Sequence, residues 1–143
     1  MQTGQRASKA MLWGGWALSG LVILFLLMDS AVKLMRMQVV ADTMAPLGWP
    51  AELGFVIGLI ELACLILYAI PRTAVLGAVL MTGLLGGAIA THLRVGDPLI
   101  SHVLFGVYVG LMAWGGLWLR EPRLRALMPL RPQAASARAR LGA

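Results

Sequence analysis

Four long apolar runs, at about 12–34, 51–70, 74–93 and 99–119, constrain this chain before anything else does. The hydrocarbon core of a bilayer takes about 20 helical residues, so each run is long enough to cross it once. In lipid the backbone finds no water to bond, and such runs close their hydrogen bonds within a helix. Composition points the same way: 59% of the residues are hydrophobic and 13% charged, a balance that soluble domains do not have. The sequence therefore predicts an all-α fold, a polytopic membrane four-helix bundle forming a single domain over 1–132. The basic Ala/Arg tail at 133–143 has the composition of a disordered segment.

The run at 11–28 follows Arg6 and Lys9, as the core of a signal peptide would. Its length, and the lack of a small-x-small cleavage site after it, favour a retained first span. Charge then sets the orientation. The net charge is +6, yet Arg6, Lys9, Arg72, Arg120, Arg123, Arg125, Arg131, Arg138 and Arg140 all fall on one side of a four-span threading. Only Lys33, Arg36 and Arg94 fall on the other. Positive residues stay inside, so both termini are expected to be cytoplasmic, in a bacterial-type inner membrane. This pattern answers to topology, and nucleic acid is not expected as a partner. Cys64 is the single cysteine, which excludes a CxxC redox pair within one protomer.

The second span carries the costliest residue. Gly54, Gly58 and Glu61 recur at helical spacing, so the small residues that allow close packing also turn the acid inward. Glu61 lies about ten residues from either end, roughly 15 Å down at 1.5 Å per residue and near the midplane. An acid at that depth costs about 2.5–3.5 kcal/mol even on lenient insertion scales. The neighbouring spans offer no base at the same depth, so Glu61 is expected to be neutralised by a proton, a hydrogen bond or water. Asp29 and Lys33, four residues apart with the acid first, form a helix-face pair at the outer end of the first span. Between the first two spans, 35–50 alternates methionines and other apolar residues with Arg36, Gln38 and Asp42. It reads as a segment lying at the interface or folded over the bundle mouth.

The third span is rich in glycine (Gly77, Gly83, Gly86, Gly87) and suits close helix packing, either inside one protomer or in a homo-oligomer. It ends in the polar hinge 90–102, where Asp97 is placed to cap the fourth helix and Pro98 to start it. The hinge holds His92 and His102, which serve either as site residues or as interfacial residues bonded to backbone or water. Two histidines without a third ligand fall short of a metal centre. With the termini inside, Asp29, Lys33, Glu52, His92, Asp97 and His102 share the outer half above Glu61. The ionisable groups thus gather around an outward-facing funnel. Glu61 and Asp29 are the proton-handling candidates, and Lys33, Glu52, His92 and His102 the ligand-binding ones.

Four motifs carry a resemblance: Asp29-Ser-Ala-x-Lys33-Leu, Gly58-x-x-Glu61-Leu, His92-Leu-Arg-x-Gly-Asp97-Pro, and Gly116-Leu-Trp-Leu-Arg120. Over about 15–131 the chain resembles the DoxX-like family of small four-span membrane proteins. More remotely it resembles the emopamil-binding superfamily, whose bundles hold sterol-like ligands against buried acids. The resemblance implies that Asp29, Lys33, Glu61 and His92 match positions kept polar in the bundle. The family's namesake is the membrane subunit of a thiosulfate:quinone oxidoreductase, and no cofactor motif accompanies the match.

Two function classes follow. In the first, the bundle is the membrane subunit of an oxidoreductase that takes a quinone or similar apolar molecule and works with a soluble redox partner. In the second, the pocket only binds, as a lipid or small-ligand receptor or an assembly factor. Protonatable groups in an apolar cavity serve either class.

Overall fold

A computed structural model describes residues 9–128. Arg6, Arg131, Arg138, Arg140 and the tail at 133–143 lie outside the described residues. Helix α1 runs Lys9–Leu34, α2 Gln38–Met44, α3 Glu52–Ala69, α4 Ala74–Val95, α5 Phe105–Arg120 and α6 Pro122–Leu127; a π-helical turn, Leu99–Val103, leads into α5. Among the described residues there is no strand. The spanning segments Lys9–Leu34, Glu52–Ala69, Ala74–Val95 and Leu99–Arg120 have mean hydropathies of 2.0, 2.0, 1.9 and 1.5, each apolar and long enough to cross a membrane.

The four long helices form a ring in which α1 packs on α3 and α5, and α4 packs on the same two. Small residues set the close approaches. A Cβ on Gly15 would lie 2.9 Å from the Arg120 nitrogen and the Gly116 carbonyl, which brings the start of α1 against the end of α5. A Cβ on Gly77 would fall onto the backbone of Tyr68, which locks α4 over α3 beside their short turn. The start of α1, the end of α5 and the α3–α4 turn therefore share one end of the bundle.

That end is filled. Tyr68 is fully buried; its hydroxyl donates to the Ala113 carbonyl at 2.7 Å and accepts from Ser19 Oγ at 3.0 Å. Arg120 belongs to the same plug: it is 8% exposed, with its guanidinium 4.5 Å from the Trp16 ring and 5.3 Å from the Tyr68 ring, and it donates to the Tyr68 carbonyl at 3.3 Å. In sequence Arg120 opens the basic stretch that continues with Arg123 and Arg125. The aromatic pair draws it inward instead, because a weakly hydrated guanidinium stacks well on ring faces. The apolar core, including Val22, Leu26, Leu65, Met81, Val109 and Leu117, continues from this plug toward the middle of the bundle.

The opposite end is looser. Helix α2 lies over it, with Val40 and Met44 buried and Val40 fitted against Gly54 of α3, so the 35–50 segment folds over the bundle mouth. Gly96 adopts φ 75° and ends α4, its N–H bonding the His92 and Leu93 carbonyls. This left-handed stop suits glycine. The fourth span then departs from the expected regular start. The Leu104 N–H reaches Leu99 O at 2.8 Å, a five-residue step that inserts a π turn. Pro98 occupies the cap position with no side-chain bond from Asp97.

Candidate functional site

Between the plug and α2 lies a cavity of about 910 Å³, within the size range of small-ligand sites. Its walls come from every spanning helix. Phe25 and Leu26 of α1, Ile57 of α3, Leu84 and Ile89 of α4, and Phe105 and Val109 of α5 make them largely apolar. Met44, Leu47 and Trp49 line the cavity on the side of α2.

The polar groups fall in two clusters. At the floor, Glu61 is 2% exposed. Its Oε2 accepts from Lys33 Nζ at 2.7 Å, and Lys33 also donates to Asp29 on its own helix. The expectation that Glu61 has no base at its depth is therefore corrected. Lys33 starts near the C-terminal end of α1, but its stem carries the ammonium inward to α3, as the apolar part of a long side chain allows. Gly58 permits this, since a Cβ there would sit 2.8 Å from Lys33 Cβ. The second carboxylate oxygen, Oε1, is buried and has no hydrogen-bond partner. Exposure grades along the triad, with side chains 40% exposed at Asp29, 18% at Lys33 and 3% at Glu61.

At the rim, His92 Nδ1 donates to Asp97 Oδ2 at 2.6 Å. Asp97 thus orients a histidine instead of capping a helix; the charge-capable ring is the stronger partner. His102 stands on the π turn with its ring centroid 5.8 Å from that of His92, and its Nδ1 is hydrogen-bonded to Ser101 Oγ at 2.8 Å. Both histidines line the cavity. The guanidinium of Arg94 donates to the Leu47 carbonyl and ties the end of α4 to the segment above the mouth.

Of the candidate residues, Asp29, Lys33, Glu61, His92 and His102 meet around one cavity. Glu52 does not join them: it is exposed in the first turn of α3 and is not a lining residue. Asp42 and Thr43 of α2 line the cavity as well. Their signal was the polar interruption of an apolar segment. The Ser19–Tyr68–Arg120 plug went unseen, although Gly15 and Ser19 keep the small-xxx-small spacing of a close helix contact. Among the described residues no group of three or more His, Cys, Asp or Glu side chains is placed to hold a metal ion.

The arrangement has the chemistry of a ligand site: an apolar chamber, an ion-paired carboxylate with a free acceptor at its floor, and two histidines at its rim. No curated protein and no solved structure matches the chain. A family model described as the DoxX-like family matches it over residues 17–116.

Proposed function

The chain belongs to the DoxX-like family and is a multi-pass membrane protein, and from that premise we propose that its cavity binds a quinone or a similarly apolar molecule as the membrane subunit of an oxidoreductase. The observation that carries this reading is Glu61, a residue that lines the apolar chamber and whose buried Oε1 has no hydrogen-bond partner. A buried polar atom left unpaired costs about 1–3 kcal/mol, and a ligand's polar head placed there removes that cost. Lys33 supplies the donor for a carbonyl-type head beside it. The cavity volume fits such a molecule, and the free acceptor suits the hydroxyl of its reduced, quinol form, as Lys33 suits the carbonyl of the oxidised form.

A quinone reduced in this chamber takes two electrons from a redox partner and two protons. The protons are the protein's part. Asp29, the wettest member of the triad, exchanges with water at the mouth, and Lys33 bridges it to Glu61. Glu61 then delivers to the head from a water-poor site, where a positioned acid is effective. His92, held by Asp97, fixes the ligand's rim-side face together with His102.

Orientation supports an outward-opening chamber. Lys9, Arg72, Arg120, Arg123 and Arg125 belong to the plugged end, against Lys33, Arg36 and Arg94 at the open end. By the positive-inside tendency the plugged end is cytoplasmic and the cavity faces the outer side of a bacterial-type inner membrane.

The test is native mass spectrometry of gently extracted protein. An apolar mass retained by the wild type and released by Glu61→Leu supports the reading. An apo bundle, under conditions that preserve ligands in a control protein, contradicts it. Retention of a lipid-like mass that takes no part in quinone-linked turnover would leave binding alone as the function.

A further inference from the structure

Three of the four seams between spanning helices are closed at the level of the cavity. Phe25 and Phe105 meet edge to face at 5.4 Å across α1 and α5. Gly58 seats Lys33 between α1 and α3, and a Cβ on Gly106 would lie 2.9 Å from Ile89 Cγ1 between α4 and α5. The α3–α4 seam differs. It is tight at Gly77 on Tyr68, but a Cβ on Gly83 or Gly87 would meet nothing within 4 Å. Gly83, Gly87 and Ala88 are exposed and also line the cavity, so the chamber wall is open on this side. Gly83 lies nine residues into α4, about 14 Å along it at 1.5 Å per residue, in the middle of the apolar segment.

We infer that the cavity half of the α3–α4 seam is a lateral portal, through which the hydrocarbon chain of a membrane-dissolved amphiphile runs from the bilayer into the chamber. The inference rests on the reading that the cavity holds an apolar ligand, and it sharpens the class of that ligand. Glycines alone would make only a packing face. Here the opening leads to Glu61, 2% exposed on α3 with Oε1 unpartnered, so the gap and the polar anchor belong to one continuous space. A head held at Glu61 and Lys33 sends its tail into the apolar chamber, and the open seam gives a long tail a path onward into lipid. The ligand is therefore long-chained and enters sideways, not as a free solute through the mouth beneath α2. Flexible chains cost little to thread where no side chain projects, which accounts for glycine and alanine at these positions.

The test uses the full chain in vesicles of phosphatidylethanolamine and phosphatidylglycerol, with a photo-crosslinking benzoylphenylalanine in place of Leu84, which faces the cavity. Adducts bearing a lipid chain are expected at this position, and Gly87→Trp in the same chain should cut their yield several-fold. The same label in place of Val79, which is 53% exposed on α4, should be unaffected by Gly87→Trp. Gly87→Leu gives the same comparison with a smaller intrusion. Absence of chain adducts at position 84, or a yield indifferent to both substitutions, overturns the portal. So does an adduct to a second copy of the protein in place of lipid, because the seam would then be a subunit contact. Chain adducts in a protein that fails to bind quinone would leave the portal standing and count against the proposed ligand.

Discussion

Lys33 of α1 and Glu61 of α3 meet at 2.7 Å across a seam that Gly58 holds open for them. The glycine stands one turn before the acid, and its missing Cβ lets the lysine stem lie against α3. Backbone packing and charge pairing are thus a single device. One carboxylate oxygen is spent on the pair and the other is kept free.

Removing the lysine should therefore harm the bundle more than removing both partners. Loss of one member of a buried pair costs about 3–5 kcal/mol, whereas replacing the pair by apolar residues is often neutral. Lys33→Met is expected to approach that range, and Lys33→Met with Glu61→Leu to recover most of it. Denaturant unfolding in detergent micelles, followed by circular dichroism, measures both. Equal stability of the single and double variants would show that the ion pair does not hold α1 to α3.

The plug gives a stability effect separate from binding. Tyr68→Phe leaves the buried Ser19 Oγ without its partner and removes a second hydrogen bond from the Ala113 carbonyl, and should cost about 1–3 kcal/mol. Ligand affinity should stay unchanged, because the plug lies at the far end from the cavity. Unfolding and binding assays on one preparation separate the two effects.

The glycines of α4 should divide by position. Gly77→Ala drives a methyl into the Tyr68 backbone and is expected to destabilise strongly. Gly86→Ala enters open space and should raise stability by about 0.5–1 kcal/mol through helix propensity. Similar melting temperatures for the two variants would contradict the packing described for the α3–α4 seam.

Arg94→Ala should loosen the cover of the mouth. The Leu47 carbonyl loses its tie to α4, so amide exchange at Gly48 and Trp49 is expected to quicken several-fold while the spanning helices keep their protection. Unchanged exchange there would mean that α2 alone holds the segment.

Much of this arrangement is legible in the residues, and the gaps have physical causes. Span length and apolarity are local properties, so the four helices follow from the sequence directly. The inward face of α3 follows from Gly54, Gly58 and Glu61 at helical spacing. The Lys33–Glu61 pair does not, because it depends on how far α1 slides along α3 and on the inward reach of a flexible stem. Arg120 misleads for a similar reason. Arg123 and Arg125 follow it within two turns and continue a basic stretch, but Trp16 and Tyr68 come from two other helices. Asp97 beside Pro98 looks like a helix cap, and only the folded hinge brings His92 close enough to take its carboxylate. The π turn at Leu99–Val103 leaves no trace, since its residues suit an α-helix equally well.

The floor of the cavity is the part on which the functional reading depends. The most direct measurement is equilibrium binding of a long-chain quinol, kept reduced, to the purified protein, read by quenching of tryptophan fluorescence, in wild type and Glu61→Leu. A hydrogen bond to a charged group contributes about 1.5–3 kcal/mol, so affinity should fall roughly 10- to 100-fold while the helical signal persists. An unchanged dissociation constant in a folded Glu61→Leu protein would contradict the assignment of Glu61 as the anchor.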